Sequence, residues 1–260
     1  MTLARSLLVA LCLASLPATA APTATVTAAA GLDANDIVAK IQKFYVGVTQ
    51  VTAQFRQTVF YNVTGISKTS DGGVYISKPG KMRWDYLEDK KAGGTSSVSV
   101  KKSFISDGTN LYVVDTQNKQ VITKNVSQDL LPVAITFLYG KGDLATEFNA
   151  SIDASGTWGS AGDVVLKLTP KQPSAQYKTL FLVVNPSDDH VKQSIIIDAG
   201  DNRNQFMFFK QDFAASIKDS TFQFDPKSVP SYRVIDANQQ GSAAPPAGSG
   251  MGSGVRLSVP

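Results

Sequence analysis

Gly73-Val74-Tyr75-Ile76-Ser77-Lys78-Pro79-Gly80-Lys81-Met82-Arg83-Trp84 is the stretch that decides the fold. Two runs rich in apolar and aromatic residues, 73–76 and 82–87, flank Pro79-Gly80, a pair that cannot continue a helix and favours chain reversal. The stretch therefore reads as one hairpin of an antiparallel sheet. The same rhythm extends on both sides. Residues 54–63 are rich in β-branched and aromatic side chains, and further strand-like runs follow at 98–105, 111–114 and 119–123. Asp71-Gly72 and Asp107-Gly108 are read as additional turns, so the first half of the chain is expected to form an antiparallel meander.

Beyond Gly140 the pattern resumes at 164–168, 179–184, 191–197, 205–213 and 221–224, with Asn185-Pro186-Ser187-Asp188-Asp189 as a hairpin turn. Leu180-Phe181-Leu182-Val183-Val184 and Phe206-Met207-Phe208-Phe209 are apolar on both faces. Pattern alone leaves two explanations open: a sheet covered on both sides, or a curved sheet whose inner face walls an apolar cavity.

Two segments depart from the strand rhythm. Asp33 or Asn35 can cap a helix whose Ile37, Ile41, Tyr45, Val48 and Val51 recur at helical spacing. Residues 127–139 carry Leu130, Leu131, Val133, Ala134, Ile135, Phe137 and Leu138. A helix there is expected to start near Leu130, since Pro132 is tolerated only in a first turn. Being apolar on nearly every side, it must be covered or face a cavity.

The ends read differently. Arg5, an apolar run over 7–16, Pro17 and Ala18-Thr19-Ala20 form the pattern of a cleaved secretory signal over 1–20. A flexible tether over 21–32, a folded domain over 33–236 and a Gly/Ala/Pro-rich tail over 237–260 are expected after it. The single cysteine, Cys12, lies in the signal, which leaves the exported protein without a disulfide or a thiolate. A lipidated Leu8-Val9-Ala10-Leu11-Cys12 is disfavoured, because Leu11 is bulky where a small residue is needed.

These residues supply few parts for catalysis. His190 is the one histidine, placed beside Asp188-Asp189 in a turn, and no serine sits in a Gly-x-Ser-x-Gly elbow. Asp198-Ala199-Gly200-Asp201 reads as a turn rather than a calcium loop. No metal, cofactor or enzymatic activity is expected. The net charge of +4 is spread among acidic residues, unlike a nucleic-acid footprint.

Taken in order, the words resemble the LolA-type periplasmic carriers of outer-membrane lipoproteins. They are Phe55-Arg56-Gln57, the 73–84 stretch above, Ser106-Asp107-Gly108 with Leu111-Tyr112-Val113-Val114-Asp115 and Gln120-Val121, then Leu168-Thr169-Pro170, Ile197-Asp198, Phe222-Gln223-Phe224-Asp225-Pro226 and Val234-Ile235-Asp236. The resemblance implies an α+β fold: an open antiparallel sheet curled into a half β-barrel, with helices covering the concave apolar face. It makes Ile41, Tyr45, Val133, Ile135, Phe137 and Leu138 parts of a lid, and puts Phe55, Met82 and Trp84 on the cavity side. It places Lys78 where the family commonly has an arginine that bonds lid carbonyls, with Arg83 as a second basic residue at the rim. Lysine lacks the planar fork of arginine, which implies weaker closure. Residues 90–102, with Gly93-Gly94 and four lysines, look like an inserted loop or a basic contact.

The function so implied is a monomeric periplasmic carrier. It takes acylated lipoproteins from an inner-membrane lipoprotein-releasing ABC transporter to an outer-membrane acceptor, or to the outer membrane itself. A regulatory module that senses lipid or lipoprotein with the same fold is the rival reading, and an adhesive surface domain a third.

Overall fold

The computed structural model describes residues 32–92, 95–126, 142–174 and 177–238. The expected signal, most of the tether, nearly all of the tail and the apolar 127–139 segment lie outside them. Helix α1 (Ala34–Gly47) opens the described chain, with Asp33 at its N-cap accepting from the Asn35 N–H at 2.8 Å. Its Ile37, Val38, Ile41 and Tyr45 are buried on one face. The expected stripe stops there, because Val48 is the C-cap and Val51 already belongs to a strand. We expect Asp33→Ala to destabilise the protein by about 1 kcal/mol in a denaturant titration, the usual cost of a lost N-cap; no change would show that the helix start is held by its packing alone.

Six strands follow as the meander: β1 (Gln50–Tyr61), β2 (Ile66–Ser77), β3 (Lys81–Ala92), β4 (Thr95–Asp107), β5 (Asn110–Asp115) and β6 (Gln120–Asn125). After the short helix α2 (Leu144–Glu147) come β7 (Phe148–Ile152), β8 (Val164–Pro170), β9 (Thr179–Val184), β10 (Val191–Ile197) and β11 (Arg203–Asp212). The final strand, β12 (Arg233–Asp236), pairs parallel to β6. All twelve form one sheet in the order β12-β6-β5-β4-β3-β2-β1-β11-β10-β9-β8-β7. The pairing of β1 with β11 joins the two halves, a long-range contact that no local turn signal announces.

The sheet is open and curled rather than closed. A single buried cluster joins Leu111 of β5, Trp84 of β3, Phe55 of β1, Leu182 of β9 and Phe148 of β7 to Ile41 of α1. Residues so far apart in strand order meet because the sheet wraps around α1, which lies in the concavity.

Both readings of the doubly apolar strands hold in part. Leu180, Leu182 and Val184 of β9 join the inner cluster, whereas Val183 packs outside with Val165 and Ile195 against Trp158 and Phe181. A second outer cluster, Ile105, Val114 and Val121, is covered by Phe224, Val229 and Tyr232 of the C-terminal segment. The curved sheet is thus covered on its convex face at two places.

Four expectations need correction. Asp71-Gly72 is not a turn but sits inside β2, paired with Arg56 and Phe55. A Cβ on Gly72 would collide with the Phe55 ring and the Asp85 carbonyl, so the glycine serves close packing inside a strand rather than chain reversal. Residues 221–224 are not a strand. Asp219–Phe222 is a 3₁₀ turn that buries Phe222. Residues 90–102 are no loose insertion, since β3 and β4 pair out to Ala92 and Thr95. Two strands, β7 and β12, were not anticipated; both are short edge strands, β7 pairing with the next strand β8 and β12 with the distant β6.

Candidate functional site

Alternation along β1 turns Val51, Ala53 and Phe55 to the concave side, and along β3 it turns Met82, Trp84 and Tyr86 there. Phe55 lies in the notch left by Gly72, with its ring 5.0 Å from Trp84, 5.1 Å from Tyr86 and 6.0 Å from Phe206. Trp84 reaches Phe206 at 5.5 Å and Phe208 at 6.4 Å. The concave wall is therefore an aromatic sheet of rings meeting at tilted and edge-on angles, a packing that adds to simple burial.

α1 covers this wall. Ile41 is fully buried, and Tyr45 points inward with its hydroxyl accepting from the Val191 N–H at 3.1 Å. Burial raises the Tyr45 phenol well above its ordinary value, so it stays neutral. Phe44 and Phe213 flank it, their rings 4.9 Å apart. Between helix and sheet remains an apolar cavity of about 20 Å³ lined by Tyr45, Val51, Ala53, Val74, Ile76, Trp84, Phe208, Gln211 and Phe213. That is room for about one water molecule. Among the described residues, the expected hollow is nearly filled by the chain's own side chains.

The helix end that faces this cavity is tied down. The last carbonyls of a helix lack intrahelical partners and favour a positive charge, yet α1 has no basic residue in its last turn. The Lys78 ammonium, at the start of the β2–β3 turn, supplies one by donating to the Tyr45 carbonyl. Its neighbour in the turn, Pro79, follows a cis peptide bond. Partial burial pushes Lys78 below the ordinary lysine value, the mark of an ammonium drawn toward a covered site. The backbone N–H of Lys78 donates in turn to Thr49 at 2.8 Å, which seats the side chain beneath the helix end.

Of the residues singled out from sequence, Ile41, Tyr45, Phe55, Met82 and Trp84 meet in the inner cluster, and Lys78 meets the C-terminal end of α1. Arg83 does not join them. Its Nε pairs with Asp85 at 2.8 Å and its Nη1 donates to the Thr221 carbonyl at 3.4 Å, on the face opposite Trp84. The alternation of β3 forbids two consecutive residues from sharing the rim. Val133, Ile135, Phe137 and Leu138 lie outside the described residues. Val51, Ala53, Val74, Ile76 and Phe208 were missed as cavity lining; two-residue alternation along β1 and β2 was the signal for the first four, whereas Phe208 lies in a run apolar on both faces.

His190 sits at the β9–β10 turn with its Nδ1 2.6 Å from Asp188, and its ring 5.8 Å from Phe213. Among the described residues no group of three histidine, cysteine or acidic side chains is placed to hold a metal, and no helix is long and apolar enough to cross a membrane.

The sequence model of the family described as outer membrane lipoprotein carrier protein LolA matches residues 46–225. The chain belongs to the LolA family. Its curated relatives include the outer-membrane lipoprotein carrier proteins of Methylococcus capsulatus, 22% identical over 72% of this chain and 82% of theirs, and of Dechloromonas aromatica, 23% identical over 73% of this chain and 83% of theirs. Among solved structures it is similar to a LolA superfamily protein from Nitrosomonas europaea, with a TM-score of 0.39 and 13% identity over 75% of this chain and 99% of that one. The β1-to-β11 core and the lysine-bearing turn both fall inside the matched span, whereas α1 precedes it except for its last two residues.

Proposed function

We propose that this LolA-family protein is a periplasmic carrier that shields the acyl chains of lipoproteins between its concave sheet and α1. What carries the reading is the construction of the closed site: a wall of apolar and aromatic side chains, a helix laid over it, and the hydrogen bonds of Lys78 and the Tyr45 hydroxyl at the helix end.

Each methylene withdrawn from water is worth about 0.8 kcal/mol, so a protein bearing two or three acyl chains leaves a membrane only when another apolar shelter is offered. The residual 20 Å³ cannot hold such a chain, so loading requires α1 to move off the sheet. Closing again when empty keeps the aromatic wall out of water, where a large exposed apolar patch would invite aggregation. No bond is made or broken in this cycle, which suits the largely apolar lining of the described cavity. The carrier accepts its load from an inner-membrane lipoprotein-releasing ABC transporter. It gives the load up to an outer-membrane acceptor, or to that membrane itself, and works as a monomer.

The test is competition between an apolar fluorophore and a purified triacylated lipoprotein, read alongside Trp84 emission. We expect the lipoprotein to displace the dye, form a water-soluble complex and change the tryptophan signal. Absence of any soluble complex would refute the carrier reading. A complex that forms but never releases its load to acceptor membranes would point instead to a sensing module.

A further inference from the structure

Rows of side chains across the concave face are apolar near the Lys78 end and are interrupted by amides farther along, in and next to the rows that hold Gln57 and the buried Val59 and Ile196. The row at Val51 includes Ile76 and Met82, the row at Ala53 includes Val74 and Trp84, and the row at Phe55 includes Phe208. The next inward position on β1 is Gln57, 1% exposed, paired in register with Ser70 on one side and Phe206 on the other. Its Nε2 donates to Asn204 Oδ1 at 2.9 Å, whereas its Oε1 is buried without a hydrogen-bond partner. Ser194, also buried, lies across Phe206 in the same row.

Neither the carrier reading nor the family's name accounts for an amide at this depth. A buried acceptor without a partner is costly, and apolar side chains of similar size avoid that cost. The Gln57–Asn204 bond also fixes both side chains, so neither can swing aside for a passing hydrocarbon without breaking it.

We propose that Gln57 and Asn204 form the polar end-stop of the acyl track, so that the protein measures hydrocarbon length. This rests on the carrier reading and adds a specificity determinant to it. A chain admitted beside Tyr45 runs along β1 past Val51, Ala53 and Phe55, six residues or roughly 20 Å of extended strand to Gln57. Along that path each methylene meets apolar wall and gains its burial free energy. At Gln57 it meets amide atoms that hydrocarbon cannot satisfy, and the gain stops.

The experiment titrates the mature protein with straight-chain fatty acids of about eight to eighteen carbons, by displacement of an apolar fluorophore. In the wild type, affinity is expected to rise about fourfold per added methylene and then level off at a defined length. In Gln57→Leu and in the near-isosteric Gln57→Met, each first checked for a cooperative thermal transition, the rise should continue for several more carbons while the shortest chains bind as in the wild type. A plateau at the same length in wild type and both variants, or no plateau in the wild type, would overturn the end-stop while leaving the carrier reading intact. If the wild type bound no fatty acid of any length, the carrier reading itself would fall, and the end-stop with it. A merely structural Gln57 would shift all chain lengths together, which this readout separates from a change in the plateau.

Discussion

Lys78→Met is expected to speed uptake of an apolar dye by the empty protein about tenfold. The substitution keeps the length and the apolar stem of the side chain and removes only the donor to the Tyr45 carbonyl. A hydrogen bond from a charged group contributes about 1.5–3 kcal/mol; Lys78 is partly exposed, and solvent screening argues for the low end. About 1.5 kcal/mol taken from the closed state multiplies the open population roughly tenfold. Lys78→Arg should do the reverse, since a guanidinium can bond two carbonyls at once. Stopped-flow fluorescence of the three proteins checks the order Met faster than Lys faster than Arg. Equal rates would remove Lys78 from the closure and leave the helix held by its apolar face and the hydrogen bonds of Tyr45 and Gln42.

Phe55→Ala is expected to have the largest effect on stability. The ring is 2% exposed, touches three other aromatic rings and fills the notch over Gly72. Truncating such a residue costs about 3–5 kcal/mol, which for a domain of this size lowers Tm by roughly 10 °C. The same change opens space in the concave wall. An acyl ligand that fills it should therefore stabilise Phe55→Ala more than the wild type, a difference visible in paired thermal melts with and without a fatty acid. A wild-type Tm in the variant would contradict the tight ring packing. Equal ligand stabilisation in both would mean that ligand does not reach the wall at Phe55.

The hydrogen bond of Lys78 shows how a family departure can be absorbed. From sequence, lysine in place of arginine implied only weaker closure. In the structure the ammonium reaches the Tyr45 carbonyl, because the position in the turn after β2, and not the shape of the cationic head, brings it under the helix end. What changes is the number of carbonyls that one side chain can engage.

The local pattern sufficed for much of this. Two-residue alternation marked most strands, Pro79-Gly80 and Asn185-Pro186 marked reversals, and helical spacing with Asp33 marked α1, because each depends on residues close in the chain. The count of one histidine, His190, is likewise fixed by the sequence alone. The tertiary structure decided the rest. That Gly72 lies inside a strand follows from Phe55 needing its space. That Arg83 turns away from Trp84 follows from the facing of β3, and that Asp219–Phe222 is a turn rather than a strand follows from how it packs over β3 and β4. Above all, an apolar side chain reads the same whether it fills a core or walls a hollow. Only the folded chain, with α1 seated in the curl of the sheet, showed that the concavity is closed here by the protein's own side chains.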